Sequence, residues 1–152
     1  MSAIENIYSK FCDGRFPLPS EQEVFDLEQK LGIPLPPEYR RFILEYNGGY
    51  FSDPLIVLSD PDYRQDCLTT LWGIHAPLPF AELGHDVDLF DDNDPPEILP
   101  IGYTIMGNLL YIVTHIEEYG SIGMKLAYSS KTFFMASSIE GFFELISLDR
   151  ER

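Results

Sequence analysis

Apolar residues recur at helical spacing in four stretches of this chain and alternate in short runs between the third and the fourth. Ile4, Ile7, Tyr8 and Phe11 stand at i, i+3, i+4 and i+7, one face of a helix over 3–11 that Asp13-Gly14 ends. Phe16 to Pro19 is a proline-pinned connector. Ser20 followed by Glu23 is a capping box, in which the hydroxyl accepts from the amide three residues on and the carboxylate reaches back. The helix it opens turns Val24, Leu27 and Leu31 inward, and Gly32 suits the left-handed residue that closes it. Ile33-Pro34-Leu35-Pro36 cannot continue a helix, because proline lacks the amide donor and restricts its predecessor. Pro37 is placed as the first residue of a third helix, with Tyr39, Phe42, Ile43 and Tyr46 as its stripe and Arg40, Arg41 and Glu45 off it. Asn47-Gly48-Gly49 stops that helix and frees the backbone to turn.

Beyond residue 50 the pattern shortens. Leu55–Leu58, Leu68–Ile74, Ile98–Tyr103, Leu109–Thr114, Gly123–Ser129 and Thr132–Ala136 are rich in β-formers and separated by turn residues, at the spacing of an antiparallel meander. Pro79 to Phe90 has room for a short helix. Ser137 with Glu140 forms a second capping box, and Ile139, Phe142, Phe143 and Ile146 line a closing helix. Helices gathered at the two ends with strands between them predict an α+β fold: one domain over 1–152, its helices packed on a largely antiparallel central sheet.

Composition fits that picture. At 152 residues, 45% hydrophobic and 23% charged, the chain is an ordinary globular domain with enough length for one core. Charge changes it. Twenty-five acids against ten Lys and Arg give a formal net charge of −15. Such a field repels nucleic acid and anionic membranes and speeds the approach of a basic partner. The imbalance is local as well as global. No Lys or Arg occurs between Arg64 and Lys125, while Asp66, Glu82, Asp86, Asp88, Asp91, Asp92, Asp94, Glu97, Glu117 and Glu118 all do. Solubilising surfaces mix both signs, so a single-sign stretch points to a partner-facing role or to a solvated acidic loop. Tyr50, Phe51, Trp72, Phe80 and Phe90 are candidate aromatic anchors beside it, with core packing the competing use for each.

Catalytic patterns are missing. There is no Gly-x-Ser-x-Gly elbow, and His75, His85 and His115 show no local pattern with Cys12 or Cys67, which read as reduced, partly buried thiols. No phosphate-binding glycine loop opens a helix. The acids from Asp86 to Glu97 are chemically suited to a hard cation, but Phe90 and Asp91 stand where the calcium-loop spacing needs a ligand and a glycine. We therefore expect no metal, no cofactor and no enzymatic activity. Neither a secretion signal nor a run approaching the roughly 20 apolar residues of a membrane span is visible, which predicts a cytoplasmic location.

One block carries a resemblance. Glu28 to Gly32, the Leu35-Pro36 step, Tyr39 and the helix ending in Asn47-Gly48-Gly49 resemble the signature of the SUKH superfamily, which includes fungal cell-wall-synthesis regulators and many bacterial immunity proteins. Trp72-Gly73, Leu99-Pro100-Ile101-Gly102, Gly107 and the aromatic helix from Ser138 to Ile146 follow in the expected order. The resemblance implies an α+β fold without catalysis. For a chain this short it implies the bacterial type, in which a domain binds and neutralises a toxin, often a nuclease or deaminase.

Together these readings predict a non-catalytic protein-binding domain, an immunity protein that occludes a basic toxin domain. Its expected contacts are Asp86, Asp88, Asp91, Asp92, Asp94 and Glu97, with Tyr50, Phe51 and Trp72. The alternatives are a regulatory scaffold binding a cellular protein, and a small enzyme or cation-dependent module.

Overall fold

Seven consecutive strands pair each with the next, so the sheet order is the chain order and every pairing is antiparallel. The computed structural model describes residues 2–57, 66–77, 79–85, 93, 96–127 and 131–150, and of 52–57 and 147–150 the backbone alone. The elements are α1 (Ala3–Phe11), β1 (Cys12–Gly14), α2 (Glu21–Leu31), α3 (Pro37–Glu45), β2 (Gly49–Val57) and β3 (Asp66–Leu71). A 3₁₀ turn (Pro79–Ala81) follows, then β4 (Ile98–Thr104), β5 (Leu109–Val113), β6 (Ile122–Lys125), β7 (Thr132–Ala136) and α4 (Ile139–Arg150). The architecture is a single-domain α+β fold, as the segregation of the patterns predicts. α1 and α4 pack on the sheet, α3 packs on α4, and α2 packs on α3.

The capping chemistry explains where the helices start. Ser20 accepts from the Glu23 amide at 3.1 Å and Glu23 Oε1 accepts from the Ser20 amide at 2.9 Å, so the first box forms. Gly32, at φ 80°, closes α2 in the left-handed conformation that a Cβ would strain. The second box does not form. Ser138, not Ser137, caps α4 by accepting from the Gly141 amide at 3.0 Å, and Gly141 has no carboxylate to return. A glutamate from another helix takes a different first-turn donor: Glu38 of α3 accepts from the Glu140 amide at 3.1 Å.

Strand boundaries depart from the periodicity in instructive ways. The Asp13-Gly14 helix stop is also a strand, because Cys12 and Gly14 pair with Phe51 and Tyr50. β2 begins at Gly49, earlier than its β-formers suggest, and its register with β3 shifts between Tyr50 and Leu55. Pro54 lies in that shifted interval, where its missing amide costs no ladder bond. The expected helix after Pro79 is a single 3₁₀ turn as far as Ala81, and 86–90 of that stretch lie outside the described residues.

The core centres on Tyr8. Its ring meets those of Tyr46 at 4.5 Å, Phe51 at 5.5 Å, Phe143 at 5.9 Å and Phe42 at 6.0 Å, joining α1, α3, β2 and α4. Its hydroxyl donates to the Gly48 carbonyl at 3.1 Å, and burial raises its pKa well above the usual phenol value. The Arg15 guanidinium covers the Tyr8 and Tyr46 rings at 5.2 and 5.3 Å.

Candidate functional site

Two conspicuous features of the sequence are scaffold. Glu28 is buried; its Oε2 accepts from the Leu35 amide at 2.7 Å and its Oε1 pairs with Arg40 Nε at 3.1 Å. Arg40 also pairs with Glu21 at 2.7 Å, and the two carboxylates, Glu21 first, raise the guanidinium pKa. One side chain thus ties the end of α2 to the Pro34–Pro36 step and to α3. Asn47 is wholly buried at φ 54°, and its amide donates to Pro17 O at 2.7 Å and Ile74 O at 2.8 Å while accepting from Ile74 N at 2.8 Å. Gly73 is needed beside it, because a Cβ there would stand 2.1 Å from the Asn47 carbonyl oxygen.

Asp66 belongs to the scaffold too, although it falls in the stretch free of basic residues. It is fully buried and accepts from Thr104 Oγ1, from Asn108 Nδ2 and the Cys67 amide at 2.8 Å each, and from the Met106 amide at 3.1 Å. It holds the β4–β5 turn and is not open to a partner's contact.

The anticipated contact residues separate. Phe51 and Trp72 are 6% and 5% exposed, so the structure gives both to the core in place of an open anchoring role. Tyr50 is half-buried, its ring on Phe16 at 5.2 Å. Asp86, Asp88, Asp91, Asp92 and Asp94 lie outside the described residues. The stems on either side of them are described. On one, Glu82 accepts from the His75 and Ala76 amides at 2.8 and 2.9 Å, and His85 packs on Trp72 with ring centres 4.8 Å apart. On the other, the Glu97 carbonyl accepts from the Thr114 and His115 amides at 2.8 and 3.1 Å, and the exposed Glu97 carboxylate lies 3.8 Å from His115 Nε2. Trp72 therefore packs on His85, the last described residue before the acidic segment.

A second acidic feature is assembled by the helices. A cleft of about 580 Å³ opens between α1, α3 and the start of α4. Glu5, Glu38, Glu45, Glu140 and Glu144 line it, against Arg41 as its cation. The local field is legible in Glu140: partial burial, then Glu144 and Glu38, push its carboxyl above the usual value, with Arg41 acting in the opposite sense. Spacing alone hints at this grouping, since Glu38 and Glu45 are seven apart and Glu140 and Glu144 four apart, each pair on one helix face. That the faces meet depends on α1, α3 and α4 packing together, which no local pattern encodes.

Among the described residues no three His, Cys, Asp or Glu side chains converge as a metal site would require, and no helix is long and apolar enough to cross a membrane. Cys12 is half-buried, and burial raises its thiol pKa.

Comparison with known proteins identifies the family. The sequence matches the SMI1 / KNR4 family (SUKH-1) over residues 18–145. The chain belongs to that family. The matched span runs from the connector before α2 into α4 and includes Glu28, Asn47 and Gly73. A shorter likeness, 45% identity over 40 residues, is to a Bacillus subtilis (strain 168) protein named "Uncharacterized protein YnaB". It covers 26% of this chain and 28% of that protein. No solved structure matches.

Proposed function

We propose that this SUKH-1 domain is a non-catalytic protein-binding module, an immunity protein that neutralises a basic toxin domain by covering its working cleft. The observation that carries the reading is the acidic cleft between α1, α3 and α4, in a chain of net charge −15. The Glu140 pKa is raised first by partial burial and then by Glu144 and Glu38, and an incoming Lys or Arg relieves that carboxylate repulsion, so the cleft favours a cationic occupant. A toxin that acts on nucleic acid offers such cations around its substrate channel. The acidic segment from Asp86 to Glu97 adds long-range attraction through its charge. Occlusion needs no chemistry from this chain.

The test is affinity capture from native lysate at low and at high salt, followed by kinetics with the recovered protein. Capture of one basic toxin-like domain is expected, with association slowing as salt rises. Charge reversal in the cleft (Glu45→Lys with Glu144→Lys) and in the segment (Asp91→Lys, Asp92→Lys and Asp94→Lys) is expected to slow association without abolishing the fold. Recovery of signalling or cell-wall proteins with salt-insensitive binding would transfer the domain to the regulatory-scaffold role.

A further inference from the structure

The two edges of the sheet are treated differently. β1 is three residues long and its pairing with β2 is irregular, the kind of short, twisted edge that resists further pairing. β7 is five residues long, Thr132-Phe133-Phe134-Met135-Ala136, without a proline or a charge, and among the described residues no strand lies beyond it. Its centre, Phe134, is 65% exposed. The row of residues leading to it carries two aromatic rings, Tyr111 and Phe134. Pro100, Tyr111, Gly123 and Phe134 stand opposite one another across β4, β5, β6 and β7. The Tyr111 ring lies over Gly123, where a Cβ would come within 2.4 Å of its Cζ. A groove of about 180 Å³ runs past Tyr111 and Phe134.

Charge separates this region from the rest of the chain. Between Leu109 and Ala136 the charged residues are Glu117, Glu118, Lys125 and Lys131, two of each sign, so this part is neutral in a protein of −15. The signs are also sorted. Lys125 pairs with Thr132, which puts Lys125 and Lys131 at the start of β7. Ile122 pairs with Ala136, which puts the preceding turn, with Glu117 and Glu118, at its end.

We propose that β7 is a self-association edge, on which a second copy of this chain pairs antiparallel about Phe134. A two-fold axis there sets Phe134 against its own copy and Thr132 against Ala136, extending the sheet through both protomers. The two Phe134 rings fall on one face beside the two Tyr111 rings, a cross-strand aromatic cluster. The same axis brings the lysine end of each strand to the glutamate end of the other, so the contact is complementary at both ends. The neutral balance of this region removes the repulsion that two acidic chains would meet elsewhere. The proposal is independent of the toxin reading, since it uses neither the cleft nor the acidic segment.

Sedimentation equilibrium of the full chain from micromolar to millimolar concentration tests it. The mass is expected to rise from 17.4 kDa toward twice that value. Phe134→Lys sets like charges opposite each other on the axis and is expected to weaken dimerisation by at least about tenfold, with an unchanged thermal melt because the side chain is exposed. Two surface charge swaps check the register. Lys125→Glu with Lys131→Glu, and Glu117→Lys with Glu118→Lys, should each be monomeric alone and should form a mixed dimer when combined. A chain that stays monomeric to millimolar concentration overturns the proposal. So does a dimer that Phe134→Lys leaves intact, and one indifferent to the swaps overturns the antiparallel register.

Discussion

Asn47 and Ile74 are joined by two reciprocal hydrogen bonds: the Asn47 amide nitrogen donates to the Ile74 carbonyl and its oxygen accepts from the Ile74 amide, both at 2.8 Å. A side-chain amide here does what a neighbouring strand does elsewhere, satisfying both backbone groups of a residue just beyond β3. It does so from φ 54°, a conformation asparagine tolerates better than most residues. Asn47→Ala should therefore strand the Ile74 N–H and C=O and lose the bond to Pro17, costing about 2–4 kcal/mol in denaturant unfolding. Asn47→Asp keeps the acceptor for the Ile74 amide but sets a buried carboxylate oxygen against the Pro17 and Ile74 carbonyls, so it should cost at least as much as Asn47→Ala. Gly73→Ala, which forces a Cβ against the Asn47 carbonyl, should be at least as damaging as Asn47→Ala.

Asp66 offers a parallel case on the other side of β3. Asp66→Ala leaves Thr104 and Asn108 facing an empty acceptor site and should destabilise the domain by about 2–4 kcal/mol. Asn108→Ala removes one donor and, with the Ala127 amide, one further bond, so the two losses overlap. A double-mutant cycle should show coupling of about 1 kcal/mol or more between them.

In the helical cleft the pH dependence has a definite sign. Burial and the neighbouring glutamates raise the folded-state pKa of Glu140 above the ordinary 4.5. The folded state then holds the proton more tightly than the unfolded one, so the contribution from this residue improves as pH falls through the folded value and is lost as pH rises through it. Glu140→Gln should be more stable than the parent at pH 7, and the advantage should vanish near pH 4. Thermal melts across that range read it directly. Glu23, held below the ordinary value mainly by the Ser20 amide, has the opposite sign: its capping box should weaken at acidic pH.

Arg40 should reveal how the Glu28 joint is balanced. Arg40→Met leaves the buried Glu28 carboxylate with the Leu35 amide but without its cation, and should cost about 1–3 kcal/mol. Arg40→Lys keeps the charge but cannot reach Glu21 and Glu28 with one planar fork, so it should recover only part of the loss. Arg40→Lys as stable as the parent would show that charge alone holds the joint, and Arg40→Lys no better than Arg40→Met would show that the planar fork does.

Most of the fold is legible in the sequence because its determinants are local. Helical periodicity, the Ser20 box, Gly32 and the Pro37 start define α2 and α3 almost to the residue. What escapes is nonlocal. β1 depends on Phe51 and Tyr50 arriving beside Cys12 and Gly14, and the cap of α4 is completed by Glu38, about a hundred residues upstream. The site follows the same division. A charge count exposes the acidic bias, but it cannot tell a buried acceptor such as Asp66 from a surface carboxylate. Nor can it see that glutamates on three separate helices share one cleft. Phe51 and Trp72 show the converse, since an aromatic beside acids looks like an anchor until its burial is known.

The contact between Tyr8 and Phe143 has a consequence in time. The first helix and the last are mutual supports, and Phe142 and Phe143 are wholly buried. During synthesis the stripe on α1 must wait for α4, on the order of ten seconds at ordinary translation rates. The meander can zip strand by strand in that interval, because each strand finds its neighbour next along the chain. The ribosome thus delivers a sheet with one open greasy face, and the final helix is the latch that shuts it.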